Sequence, residues 1–220
     1  MSLWAIVPVK PLRRGKSRLA SVLDPGERLR LNRALLARTL RMLSDFQGIE
    51  QVLVVSRDSA ALAVARDLGA RTVQEDGAPS LNRALRRATV VARMNGAHAI
   101  LVLPADLPLF TSDDLLALLS RALDPPVVVI APDRRHRGTN ALLLAPSDVI
   151  EYGFGGSSFE RHFERARRAG ARLEIVDSPA LSLDLDLPED LELIQRMEAS
   201  DSDQPQSQIA DSPRRVRSDR

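Results

Sequence analysis

The chain contains no cysteine, which excludes disulfide frameworks, zinc–thiolate sites, iron–sulfur clusters and cysteine nucleophiles. Aromatic residues make up 3% of its 220 positions, too few to build the stacking platforms that hold single-stranded nucleic acid. No apolar run approaches the roughly 20 residues that span a bilayer, and the opening Met1-Ser2-Leu3-Trp4 lacks a secretory pattern. Excess charge of one sign is missing too, because 29 acidic residues nearly cancel 31 basic ones and leave a formal net charge of +2. The expectation is a cytoplasmic protein with neither membrane nor nucleic acid as partner. Lysine is also scarce: 29 of the basic residues are arginine, and the two lysines, Lys10 and Lys16, stand in one short segment. Coding bias toward arginine explains such a ratio. So does a local need for a compact, mobile point charge, as beside phosphates, where an arginine fork is not equivalent.

What is present is globular material, 44% hydrophobic and 27% charged, enough for one substantial core. From Ala199 onward the chain is polar and low in complexity, ending in the basic cluster Arg214-Arg215-Val216-Arg217. Residues 199–220 are therefore expected to form a disordered tail behind a domain at 1–198. Within that domain apolar strands alternate with helices. Leu3 to Val9, Gln51 to Val55, Arg71 to Gln74, His98 to Leu103, Val127 to Ile130, Ala141 to Leu144 and Leu173 to Val176 read as strands. Asp24-Pro25, Ser80, Thr111-Ser112 and Pro188-Glu189-Asp190 open helices, and a helix over about Ser158 to Arg168 ends at Gly170. Continuous Val/Ile/Leu strands between helices predict a single α/β domain with a mostly parallel sheet covered on both faces. Ligands in such folds bind beyond the carboxyl ends of the strands.

The first such end is the loop from Lys10 to Arg18. It lacks the glycines of a dinucleotide fingerprint, and Lys10 stands where a P-loop needs its first glycine. Pro11 further removes a backbone donor. A cationic loop remains, with Lys10, Arg13, Arg14, Lys16 and Arg18, suited to a triphosphate or simply solvated. At the second end, Leu103-Pro104-Ala105-Asp106-Leu107-Pro108 fixes a carboxylate directly after a buried strand, costly unless it faces a cation or hydrogen-bond donors. Asp106 is a candidate Mg²⁺ ligand. Farther on, in Leu183-Asp184-Leu185-Asp186-Leu187, the alternation puts Asp184 and Asp186 on one face of an extended segment, opposite the leucines. They are candidates to complete a hard-cation site with Asp106, although the solvent face of an edge strand alternates in the same way.

In order along the chain stand Pro8-Val9-Lys10-Pro11-Leu12, Gly15-Lys16-Ser17-Arg18-Leu19, Pro79-Ser80-Leu81-Asn82-Arg83-Ala84-Leu85 and the Leu103 to Pro108 turn. Arg137-Gly138-Thr139-Asn140-Ala141-Leu142, Phe154-Gly155-Gly156-Ser157-Ser158-Phe159 and Asp184 to Leu191 follow. The ordered set, which covers nearly the whole domain, resembles the guanylyltransferases of the CofC/FbiD type that activate a small phosphorylated acid for coenzyme F(420) synthesis. The resemblance implies a Rossmann-like nucleotidyltransferase fold, related to molybdenum-cofactor guanylyltransferases and sugar-nucleotide transferases. It implies that Lys16 and Arg18 meet GTP phosphates, with Lys10 in the same loop, and that Ser80, Leu81 and Asn82 lie near the guanosine. Catalysis would fall to Lys16, Arg18 and Asp106. Asp106 with Asp184 or Asp186 would hold Mg²⁺, and Thr139, Gly155 and Ser158 would bind the acceptor acid. Two departures stand out: Ser80 where the family commonly has glycine, and Phe-Gly-Gly-Ser-Ser-Phe in place of Phe-Gly-Pro-Gly-Ser-Phe.

The implied reaction is GMP transfer from GTP to phosphoenolpyruvate or 2-phospho-L-lactate with release of pyrophosphate; 3-phospho-D-glycerate is an alternative acceptor. A phosphorylated acid is already ionised at neutral pH, so its attack on the α-phosphorus needs no general base. Positioning and charge neutralisation suffice. Two other readings stay open: a nucleotidyltransferase for another phosphorylated substrate such as the molybdenum cofactor, and a non-catalytic GTP-binding regulator. None of the three histidines, His98, His136 and His162, has metal-ligand spacing with another; each is expected to be structural or solvated. The loop Asp133-Arg134-Arg135-His136-Arg137 is read either as a cover for an anionic ligand or as a mobile surface loop. A homodimer is the base-rate expectation.

Overall fold

The computed structural model describes residues 2–202. Seven strands form one sheet: β1 (Leu3–Val9), β2 (Gln51–Ser56), β3 (Arg71–Gln74), β4 (Ala99–Val102), β5 (Val127–Pro132), β6 (Thr139–Ala145) and β7 (Arg172–Ile175). Their order is β3-β2-β1-β4-β6-β5-β7. β1 pairs in parallel with β2 and β4, β2 with β3, and β5 with β7, whereas β6 runs antiparallel to both β4 and β5. The helices are α1 (Pro25–Asp45), α2 (Ser59–Asp67), α3 (Leu81–Met94), α4 (Ser112–Ser120), α5 (Ser158–Arg168), α6 (Pro179–Ser182) and α7 (Pro188–Ser202). A 3-10 turn at Ser17–Ser21 joins β1 to α1.

Both faces of the central strands are apolar because both are covered. On β1, Leu3, Ala5 and Val7 pack with Leu36, Leu40 and Leu43 of α1 and Leu115 and Leu118 of α4. Trp4 and Ile6 point the other way, toward Ala84, Leu85 and Ala88 of α3 and Ala166 of α5. Each large aliphatic side chain removed from water contributes about 1.5–3 kcal/mol. Helix starts follow their chemistry. The Glu27 amide donates to Asp24 Oδ1 (2.7 Å) and the Asp24 amide to Glu27 Oε2 (2.8 Å), a reciprocal cap. Thr111 and Asp114 form the same motif on α4. Ser80 precedes α3 as expected, but its side chain makes no capping hydrogen bond.

A third apolar cluster joins Leu19 of the 3-10 turn, Leu35 of α1, Leu183, Leu185 and Ile194. It brings the segment from Leu183 to Ile194 back against the turn that follows the β1 loop. Residues 183–187 form no strand. Their alternation holds nonetheless, with Leu183 and Leu185 buried and Asp184 and Asp186 left on the opposite side. The expected tail boundary at 199 also shifts, since α7 continues through Ser202; residues 203–220 lie outside the described ones. No helix among the described residues is long and apolar enough to cross a membrane.

Candidate active site

The sheet opens where β1 and β4 part. Their pairing ends at Ile6 and Val102, so beyond Ile6 strand β1 keeps only β2 as a neighbour. Pro8, which lacks an amide donor, is tolerated there and still pairs with Val55 of β2. The crevice left by this divergence is a cavity of about 590 Å³, well within the range of small-molecule sites.

Its floor is the β1 loop. The Leu12 amide donates to Asp58 Oδ2 (2.7 Å), and Asn32 Nδ2 donates to the Leu12 carbonyl (2.7 Å). The Arg14 and Gly15 amides both donate to the Pro11 carbonyl (2.9 Å each). A Cβ at Gly15 would stand 2.8 Å from Asn32 Nδ2, so any side chain there would displace the amide that holds the Leu12 carbonyl. The turn ends with Lys16 in the left-handed region, at φ 58°, a conformation costly for a non-glycine residue. Its side chain, only 5% exposed, extends between two carboxylates, with Nζ 3.5 Å from Asp186 Oδ1 and 3.8 Å from Asp106 Oδ2.

The two carboxylates are held by different devices that meet. Asp106 follows β4, and its carbonyl accepts the Leu185 amide (2.9 Å), stitching the two acidic segments together. The Asp186 and Leu187 amides donate to Asp190 Oδ2 (3.0 and 2.8 Å), while Arg134 pairs with Asp190 Oδ1. Asp190 is buried and serves as the frame for the turn. Asp184 completes the acidic wall; burial, reinforced by the charge of Asp106 and then of Asp186 and Asp190, raises its carboxyl above the ordinary carboxylate range. Among the described residues no three acidic or histidine side chains converge closely enough to hold a metal ion by themselves.

The remaining walls come from α3 and β6. Lys10, Arg14, Arg57, Glu75, Ser80 and Leu81 line the side toward β2 and β3, and Thr139, Asn140 and Phe154 the side toward β6. Glu75 Oε1 accepts the Ser80 amide (3.1 Å) and lies 3.4 Å from Arg57, whose guanidinium also donates to the Gly77 carbonyl (3.0 Å). Thr139 Oγ1 is 2.9 Å from His162 Nδ1, and the Gly153 amide donates to His162 Nε2 at 2.9 Å. His162 is fully buried. Its pKa is lowered to about 4 by burial, and further by the charges of Arg165 and Arg161.

Of the residues singled out in the sequence, Lys10, Arg14, Lys16, Ser80, Leu81, Asp106, Thr139, Asp184 and Asp186 line this one cavity. Arg13, Arg18, Asn82, Gly155 and Ser158 do not. Arg18 is exposed on the 3-10 turn, because Leu19 takes the inward position. Asn82 spends its amide on the backbone of Phe154, donating to the carbonyl (3.0 Å) and accepting from the amide (2.8 Å). Gly155 is exposed at φ 119°, beyond that clamp, and Ser158 is buried at the start of α5. The basic loop is tethered as well: Arg134 is committed to Asp190, and Asp133 Oδ1 accepts the Arg135 and Arg137 amides (3.1 and 2.8 Å). Arg57, Glu75 and Asn140 were missed. Arg57 and Glu75 directly follow β2 and β3, so the strand-end rule that found Asp106 would have found them too.

The family described as "Guanylyl transferase CofC like" matches residues 3–204. A protein named phosphoenolpyruvate guanylyltransferase from Rubrobacter xylanophilus is 46% identical over 200 residues, 91% of this chain and 95% of that one. One named 2-phospho-L-lactate guanylyltransferase from Methanothermobacter thermautotrophicus is 36% identical over 87% of this chain and 83% of its own. Among solved structures, a nucleotidyl transferase from Methanothermobacter superposes with a TM-score of 0.68 at 20% identity, covering 91% of this chain and 99% of that one. A 4-diphosphocytidyl-2C-methyl-D-erythritol synthase gives 0.62 at 16%, covering 90% and 99%. The chain shares its Rossmann-like nucleotidyltransferase fold with both solved structures, and with a match spanning nearly all of its described residues it belongs to the CofC-like guanylyl transferase family.

Proposed function

We propose that the protein transfers GMP from GTP to a small phosphorylated three-carbon acid, phosphoenolpyruvate or 2-phospho-L-lactate, releasing pyrophosphate as a step in coenzyme F(420) biosynthesis in the cytoplasm. The observation that carries this reading is Lys16, a buried ammonium between Asp106 and Asp186 at the crevice where β1 and β4 part. Cation and carboxylates together suit a site for phosphoryl groups and their counter-ions. A phosphate oxygen of the acid attacks the α-phosphorus of GTP, and the bond from that phosphorus to the β-phosphate oxygen breaks. The electron pair leaves with pyrophosphate. No proton has to be removed from the nucleophile, in keeping with a cavity that offers no neutral histidine as base.

In this reading Lys16, with Lys10 and Arg14 at the rim, meets the triphosphate. Ser80, at the start of α3, lies on the nucleotide side, where helix N-termini favour anions. Thr139 belongs to the acid, and Gly155 and Ser158 are contacts made once the acid is seated. Arg18, exposed on the 3-10 turn, and Asn82, bonded to the Phe154 backbone, are not assigned a ligand contact in this reading. Mg²⁺ would be held by Asp106 with Asp184 or Asp186, since it is usually bound by one or two carboxylates plus substrate phosphate rather than by a protein cage. When bound it supplies charge neutralisation at the phosphates. The test is pyrophosphate release from each of the four nucleoside triphosphates, crossed with phosphoenolpyruvate, 2-phospho-L-lactate and 3-phospho-D-glycerate. GTP with one of the first two acids should give turnover; no release with GTP and any acid would sink the assignment.

A further inference from the structure

His162 lies on α5, outside the cavity, yet both of its ring nitrogens are engaged. The Gly153 amide can only donate, so Nε2 must present a lone pair to it. A neutral imidazole carries its proton on the other nitrogen. That nitrogen, Nδ1, therefore donates to Thr139 Oγ1 across 2.9 Å. The ring is fully buried, with the Phe154 ring edge-on at 4.9 Å. Arg161 and Arg165 of its own helix are committed elsewhere, Arg161 Nε to the Gly153 carbonyl (2.9 Å) and Arg165 to the Glu151 carbonyl (2.9 Å). Their charges add to burial in holding the ring neutral near pH 7.

The consequence falls on Thr139. A hydroxyl that accepts from an N–H keeps one proton to give, and among the described residues Thr139 has His162 as its side-chain partner and no acceptor for that proton. Thr139 lines the cavity. We propose that His162 is a positioning residue: by donating to one lone pair of the Thr139 hydroxyl it turns that hydroxyl's proton toward the cavity, to be given to a phosphate or carboxylate oxygen of the acceptor acid. The proposal rests on the reading that the β6 side of the cavity takes the acid. A donor that is itself hydrogen-bonded from behind is polarised and strengthened. It favours a ligand acceptor, because the hydroxyl's proton has no protein acceptor among the described residues. A Cβ at Gly153 would stand 3.0 Å from Arg165 Nη1 and 3.3 Å from the Arg161 Cβ, so a larger residue there would crowd α5.

The experiment has two arms. In the first, the intact protein labelled with ¹⁵N-histidine is examined by NMR between pH 5.5 and pH 8. His162 should show a protonated Nδ1 and an unprotonated Nε2 throughout; the opposite tautomer, or a charged ring at pH 7, would overturn the proposal whatever the enzyme does. In the second, His162→Leu, His162→Asn, Thr139→Val and the double variant His162→Leu with Thr139→Val are compared in pyrophosphate release. Thr139→Val and His162→Leu should each raise KM for the acid about tenfold with KM for GTP unchanged, and the double variant should be no worse than Thr139→Val. His162→Asn, whose amide restores a donor at the Nδ1 position, should recover most of the loss. Additive effects in the double variant, or equal damage to both KM values, would refute a role exerted through Thr139. If Thr139→Val leaves KM for every acid unchanged, the acid-side reading fails, while the NMR arm still decides the tautomer.

Discussion

Replacing Asp190 tests whether the acidic wall is held from behind. Its buried carboxylate accepts two backbone amides, from Asp186 and Leu187, and pairs with Arg134. A hydrogen bond to a charged group contributes about 1.5–3 kcal/mol. The turn borders an open cavity, so water can re-pair the freed amides and the lower end applies, about 3 kcal/mol for the two. Arg134 is 47% exposed, which limits its share to about 1 kcal/mol or less. Asp190→Ala should therefore lose roughly 3–4 kcal/mol in urea unfolding, and at about 2–4 °C per kcal/mol for a domain of this size Tm should fall by about 6–16 °C. Asp190→Asn keeps a neutral acceptor and should lose about half as much. Arg134→Ala should lose about 1 kcal/mol or less. An Asp190→Ala protein within about 1 kcal/mol of wild type, or an Arg134→Ala protein as unstable as Asp190→Ala, would refute the assignment of the frame to those two amides.

Lys16→Arg preserves charge but cannot place a fork in the space of a 5% exposed ammonium between two carboxylates; turnover should fall at least tenfold by steady-state pyrophosphate release, about 1.4 kcal/mol of barrier. Asp106→Asn should abolish turnover while leaving the circular dichroism spectrum and urea midpoint near wild type, and a near-normal rate would remove Asp106 from the reacting site. His162 gives a stability signature: its folded pKa of about 4 lies below the ordinary 6.5, so the unfolded chain takes up the proton first. The contribution is fully present above pH 6.5 and is lost as pH falls toward 4, by about 3 kcal/mol. Urea unfolding across that range should show the slope in wild type and a flatter one in His162→Leu.

The strand and helix pattern is legible in the sequence because central strands covered on both faces read as unbroken apolar runs, and because Asp24 and Thr111 are capping residues whose partners stand three positions on. Asp106, Lys16 and the Asp184/Asp186 pair are legible for a related reason: charge beside a buried strand or alternating with leucine needs an explanation. Asn82 shows where such reading stops. The resemblance places it near the guanosine, but its side chain is bonded to Phe154, 72 positions away, and no local pattern reports a hydrogen bond of that span. Arg18 is exposed, and a basic loop does not say which of its side chains turns inward once Leu19 has claimed the core. The tail boundary missed because a helix ends where its hydrogen bonds end rather than where composition changes.

The Asn82 clamp divides the segment after residue 152 into two mechanical parts. Gly153 and Phe154 are pinned, by His162 and Arg161 on one side and by Asn82 on the other. Two residues later Gly156 has no atom within 4 Å of where a Cβ would stand. An anchored root and an unencumbered tip tolerate change very differently: substitution at the root disturbs α3 and α5 together, whereas substitution at the tip is absorbed by empty space. A side chain can thus be added at position 156 without transmitting strain to the wall that α3 contributes. The fold in this way separates a position free to change from the clamp that ties Phe154 to α3.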